Sequence, residues 1–124
     1  MNRERFTGLV AKAMHSLPEE FRSRMENIDV VVEEQPTPGQ LSEVKLKRGM
    51  TLLGLYQGIP LPWRGRSYGL VAPDKITIFQ KPIEDKCKYD ADIEPEIRRV
   101  IQHEIAHHFG IGDARLRQLE KGKR

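Results

Sequence analysis

Apolar residues recur at helical spacing from the start of the chain. Phe6, Leu9, Val10, Ala13, Met14 and Leu17 fall on one face in steps of three and four, the pattern of an amphipathic helix buried along one side. Pro18 interrupts it, and the two acids that follow open a short second helix within "PEEFRSRMEN". "IDVVVEE" is rich in β-branched residues and predicts a strand from Ile28 to about Glu34. In "TPGQLSEVKLKRG", Thr37 stands as N-cap, Pro38 at the first helical position and Gln40 as the partner of a capping box, with Gly49 as a stop behind Lys45, Lys47 and Arg48. A third helix is expected there.

A second strand is predicted from Thr51 to about Gln57, closed by Gly58 and Pro60, and "PWRGRSYG", from Pro62 to Gly69, is a turn-rich loop. "DKITIFQKPI" alternates Ile76, Ile78 and Gln80 against Thr77 and Phe79, so it predicts a third strand, with Pro82 marking an end or an edge of the sheet. The main helix is read from "DADIEPEIRRVIQHEIAHHF". Acids crowd its first turn, Ile97, Ile101 and Ile105 form its apolar stripe beside Val100, and Gly110 closes it. "DARLRQLEK" is a last amphipathic piece. The expected fold class is α+β: a single domain over residues 1–124, with a small mixed sheet of about three strands packed with helices and the functional helix near the C-terminus.

Composition narrows the classes. Hydrophobic residues make up 38% and charged residues 31% of the chain, so a modest core under an ionic surface is expected. The net charge is +3, with basic residues scattered among acidic ones, which argues against a nucleic-acid partner. No apolar run has the length of a membrane span and the first residues lack a signal-peptide pattern, so a cytoplasmic protein with no membrane partner is expected. A monomer is the expected state. Cys87, the lone cysteine, has no intramolecular disulfide partner and no zinc-finger spacing to the histidines, and reads as a passive thiol. Trp63, Arg64, Arg66 and Tyr68 in the turn-rich loop admit three readings: a solvated turn, a substrate-facing loop, or stacking and cationic groups for RNA.

The chemistry concentrates in the last predicted long helix, which holds three of the four histidines. His103 and His107 lie four residues apart, so they point the same way one turn above the other and can bind one ion together. Glu104 sits beside them. This is H-E-x-x-H, in which the glutamate serves as general base on a metal-activated water. Gly110 allows a sharp turn off the helix, and Asp113, six residues after His107, is the candidate third ligand. The alternative for the histidines is a solvated pair flanking a core face, and for Asp113 a cap on the final helix. His108 projects between Ile101 and Ile105, which predicts packing against the sheet, and His15 belongs to the surface of the first helix.

The pattern "HEIAHHFGIGD", together with "TLLGLYQGIPL", "PDKITIF" and the amphipathic start followed by "LPEEF", resembles the small bacterial zincin-like proteins sometimes called minimal zincins, a metallopeptidase-like family. The resemblance covers most of the chain. It implies a zincin core, zinc as cofactor at His103, His107 and Asp113, and Glu104 as catalytic base. The longer motif is also similar to that of metzincin peptidases, but the eleven residues after Asp113 contain no methionine for the turn those enzymes place beneath the metal. From the length of the chain, a lower subdomain walling the substrate cleft is not expected.

Two functions lead as expectations, ahead of a third, an RNA-binding accessory protein using the Trp63 loop. The first is a zinc-dependent metallopeptidase acting on a peptide or protein substrate, with Tyr68 or Tyr89 as oxyanion helpers and "KITIFQ" as an edge strand that holds the substrate by main-chain hydrogen bonds. The second is a non-catalytic metal-binding or protein-interaction domain on the same scaffold, and its support is the missing cleft wall.

Overall fold

The Asn2 side chain accepts the Arg5 N–H at 2.8 Å and so starts α1 (Arg3–His15), whose buried face is Phe6, Val10 and Ala13, as the spacing requires. The computed structural model describes residues 1–44, 51–58, 73–112, 114–115 and 117–118. Helix α2 (Glu19–Arg22) is a single turn that buries Phe21. The capping box of α3 (Pro38–Val44) forms as predicted: the Thr37 N–H donates to Gln40 Oε1 at 2.8 Å and the Gln40 N–H donates to Thr37 Oγ1 at 3.1 Å. The basic stop of that helix, at 45–49, and the turn-rich loop at 62–69 lie outside the described residues.

Among the described residues three strands form one mixed sheet, β1 (Ile28–Glu33), β2 (Gly54–Gln57) and β3 (Asp74–Phe79), in the order β1-β3-β2. Strand β3 runs parallel to β1, with Ile28 opposite Asp74, and antiparallel to β2, with Tyr56 opposite Ile76. The "KITIFQ" segment is therefore central, which corrects its expected place at an edge. The proline that suggested an edge lies beyond the strand: Pro82 is the third residue of α4 (Gln80–Lys86), where the helix has no partner for its N–H. The strand thus stops at Phe79 instead of running to Ile83. Gln80 opens the helix, with its amide oxygen accepting from Arg3 Nε at 2.7 Å and its amide nitrogen donating to Glu84 at 2.9 Å.

After a short 3-10 turn at Asp90–Asp92, α5 (Ile93–Phe109) crosses the sheet. Its stripe Ile97, Ile101 and Ile105 is fully buried against Ile76 and Ile78 of β3 and against Phe6, Val10 and Ala13 of α1. Thr77 and Phe79, on the other face of β3, are buried too, so the central strand is covered on both sides. Among the described residues no helix is long and apolar enough to cross a membrane.

Gly54 sets how closely β2 approaches α5. A Cβ there would lie 2.5 Å from Val100 Cγ1 and 3.2 Å from the Thr77 carbonyl oxygen, so strand and helix meet at a distance only glycine permits. Gly54→Ala is accordingly expected to destabilise the domain by about 1–3 kcal/mol, the usual cost of overpacking. Urea denaturation checks this, and an unchanged midpoint would show that β2 can move away from the helix without loss.

Candidate active site

Helix α5 carries the candidate site on the side away from its apolar stripe. At about 100° per residue, His103 and His107 project roughly opposite Ile101 and Ile105, and Glu104 falls between the two faces. His103 is half-buried and His107 exposed, and their ring centroids lie 6.1 Å apart with the planes nearly perpendicular. With zinc–nitrogen bonds of about 2 Å, two imidazoles at this separation are within reach of one ion. The helix ends in a turn just past the histidines. Gly110 adopts the left-handed conformation at φ 73°, and both its N–H and that of Ile111 donate to the Ala106 carbonyl, the latter at 2.8 Å. Ile111 then packs against the core, which pins the chain just past the histidines. Asp113, two residues on, lies outside the described residues.

Glu104 faces β2. Its Oε1 accepts the backbone N–H of Tyr56 at 2.9 Å. The Phe79 N–H donates to the Leu53 carbonyl, so hydrogen-bonded pairs fall at Leu53, Leu55 and Gln57, while Gly54 and Tyr56 turn their main-chain groups to the outer edge. The Glu104 carboxylate thus sits against the edge of the sheet. Burial pushes its carboxyl above the ordinary glutamate value, and the Tyr56 N–H and the nearby His107 oppose the rise.

Tyr56 joins the site by its side chain as well. Its hydroxyl donates to Asp74 Oδ2 at 2.6 Å, and its ring stacks on His108 at 3.9 Å between centroids and 16° between planes. His108 therefore reaches the sheet, as its projection predicts, but at the rim, with 40% of its side chain exposed and its Nε2 3.9 Å from Asp74 Oδ2. Neither Tyr56 nor Asp74 is marked by the H-E-x-x-H spacing, and the one sequence signal for their approach is the isolated glycine at position 54. Tyr89, in contrast, caps the turn that precedes α5, about 15 Å along the helix from His103, and is 62% exposed, which removes it as an oxyanion helper. Tyr68 lies outside the described residues. His15 is exposed on α1, apart from the site. Cys87 closes α4. Burial, then the carboxylates of Glu96 and Asp92, raise its thiol pKa, so the reactive thiolate is disfavoured. Among the described residues, no group of three His, Cys, Asp or Glu side chains is arranged to hold a metal ion.

Helix α5 thus places an imidazole pair one turn apart, with a carboxylate held between it and a sheet edge. The chain belongs to the zincin-like metallopeptidase family, whose model matches residues 25–123. That membership implies zinc as the metal of the family in general and peptide hydrolysis as its class of chemistry. No curated protein matches the chain. Its fold is similar to that of a conserved hypothetical protein from T. thermophilus, at 22% identity and a TM-score of 0.54, covering 88% of this chain and 94% of that one. The likeness is one of fold.

Proposed function

We propose that this chain is a zinc-dependent peptidase in which His103, His107 and Asp113 hold the metal and Glu104 is the general base. The observation that carries the reading is the Glu104 carboxylate, seated beside the imidazole pair with Oε1 occupied by the Tyr56 N–H. The donor set suits the ion: two neutral imidazoles and a carboxylate are ordinary zinc ligands, and three protein ligands leave a position open for catalysis. Gly110 and Ile111 support Asp113 as the third ligand, because they turn the chain back beside the last helical turn. When bound, zinc supplies Lewis acidity, polarising the scissile carbonyl and bringing the pKa of a coordinated water near 7.

The protein groups do the rest. Among the described residues Glu104 Oε2 accepts no hydrogen bond, so it is the oxygen disposed to take a proton from the attacking water and pass it to the leaving amine. Burial favours the protonated carboxyl and so helps that first transfer. The outer edge of β2 at Gly54, in place of the central "KITIFQ" strand, is the edge suited to hold an extended peptide substrate by main-chain hydrogen bonds, since the Tyr56 N–H is taken by Glu104.

The test is metal content after purification without chelator, coupled to a peptide-library cleavage assay. About one zinc per chain and zinc-dependent cleavage are expected. Asp113→Ala should bind zinc more weakly, and an unchanged affinity would reassign Asp113 to capping. Zinc binding without cleavage of any peptide would replace the peptidase by a non-catalytic metal-binding domain.

A further inference from the structure

The Tyr56 N–H that holds Glu104 lies on a poor support. Strand β2 has four residues, it is an edge strand among the described residues, and its outer main-chain groups lie outside the β2–β3 ladder. Short edges fray, and a frayed N–H does not fix a carboxylate. The side chain of the same residue supplies what the strand lacks. Tyr56 stands opposite Ile76, so Asp74, two residues earlier on β3, is its diagonal neighbour on the same face and within reach of its long side chain. The hydroxyl takes that contact at 2.6 Å, on a carboxylate whose residue is only 7% exposed and belongs to the central strand. The ring is closed from the other side by His108 at 3.9 Å. His108 is also four residues after Glu104, so both project from one face of α5 and grip Tyr56 at two points, Glu104 at the backbone and His108 at the ring.

We infer that Tyr56, clamped between Asp74 and His108, is the positioning residue of the general base: the clamp holds the Tyr56 N–H in place, and the N–H holds Glu104 Oε1 so that Oε2 faces the reacting water. Tyr56, Asp74 and His108 act through Glu104 and touch neither substrate nor metal in this role. The inference rests on the peptidase reading for its catalytic consequence, but the clamp is a property of the protein without metal and can be measured there.

Amide hydrogen exchange by NMR on the metal-free protein is the first measurement. Tyr56→Phe keeps the ring and its stack but removes the hydroxyl bond to Asp74. It is expected to speed exchange at residue 56 by about tenfold or more and to shift the Glu104 side-chain carboxyl resonance, with exchange at Ile78 and Ile101 unchanged. Asp74→Asn should act in the same direction. Should burial of Asp74 make that variant fold poorly, His108→Ala against His108→Phe replaces it: the alanine should lose protection at residue 56 and the phenylalanine, a flat ring, should retain more of it. Unchanged exchange at residue 56 in both Tyr56→Phe and His108→Ala would overturn the inference, as would faster exchange spread over the whole sheet.

Kinetics are the second measurement. Zinc-loaded Tyr56→Phe is expected to lose about tenfold in kcat, with KM and the zinc Kd unchanged, since a misplaced base slows the step without weakening substrate or metal. A rise in KM alone, or loss of zinc, would assign Tyr56 to substrate or scaffold instead. If the native protein cleaves nothing, the peptidase reading fails by itself and the exchange result decides whether Glu104 is held by the clamp.

Discussion

Glu104→Gln is expected to bind zinc as the native protein does and to lose about 10²–10⁴-fold in kcat, the usual worth of a general base. The substitution keeps the size of the side chain and an oxygen able to accept the Tyr56 N–H, so the contact at 2.9 Å can persist while the proton acceptor is gone. A fluorogenic peptide assay with zinc-loaded native and variant protein measures it. Cleavage that survives the substitution unchanged would place the activity elsewhere. The metal-free protein gives a second readout of opposite sign. Burial raises the Glu104 carboxyl above the value it has in the unfolded chain, so the native state binds its proton more tightly and is destabilised by this group once the pH exceeds the unfolded value. Metal-free Glu104→Gln should therefore melt at a higher temperature than the native chain at pH 7. The advantage should vanish as the pH falls through the ordinary glutamate range, where the carboxyl is protonated in both states. An advantage that persisted at low pH would mean that charge at Glu104 is not its source.

How much of this was legible in the sequence depends on the range of the interaction. The helix faces of α1 and α5 are local patterns, and Phe6, Val10 and Ala13 with Ile97, Ile101 and Ile105 are buried where periodicity puts them. The Thr37–Gln40 capping box is a reciprocal pair three residues apart and was equally readable. Strand order was not. The alternation in "KITIF" describes the faces of a strand, but whether a strand is central or at an edge depends on which partners lie beside it, and β1 and β2 are distant in sequence. Of the two readings of Pro82, the end holds and the edge does not, because a proline just after a strand fits an edge strand and the first turn of a new helix equally well. The candidate site divides in the same way. His103, Glu104 and His107 share one helix and follow from its geometry, whereas Tyr56 meets Glu104 across 48 residues of chain. Only the close approach at Gly54, itself a tertiary fact, brings them together.

The same geometry separates the proposed metal site from the core, and this makes the second large effect testable. His103 and His107 project away from the Ile97, Ile101 and Ile105 stripe, and His107 is exposed, so neither imidazole fills space that the fold needs. His103→Ala and His107→Ala should each weaken zinc binding by about 100-fold or more, since loss of a ligand costs at least as much as loss of a group that merely orients one. Helical circular dichroism should remain close to native in both variants. Calorimetric titration with zinc measures the first effect, and the two spectra check the second. Affinity retained in either variant would remove that histidine from the metal site. Chelation of the native protein provides the complementary test: an apolar core formed by α1, α5 and β3 without any ligand residue should keep its helical signal when zinc is withdrawn. Collapse on chelation would make the metal a structural one, as in domains that fold only around their ion. The non-catalytic reading would then gain at the expense of the peptidase.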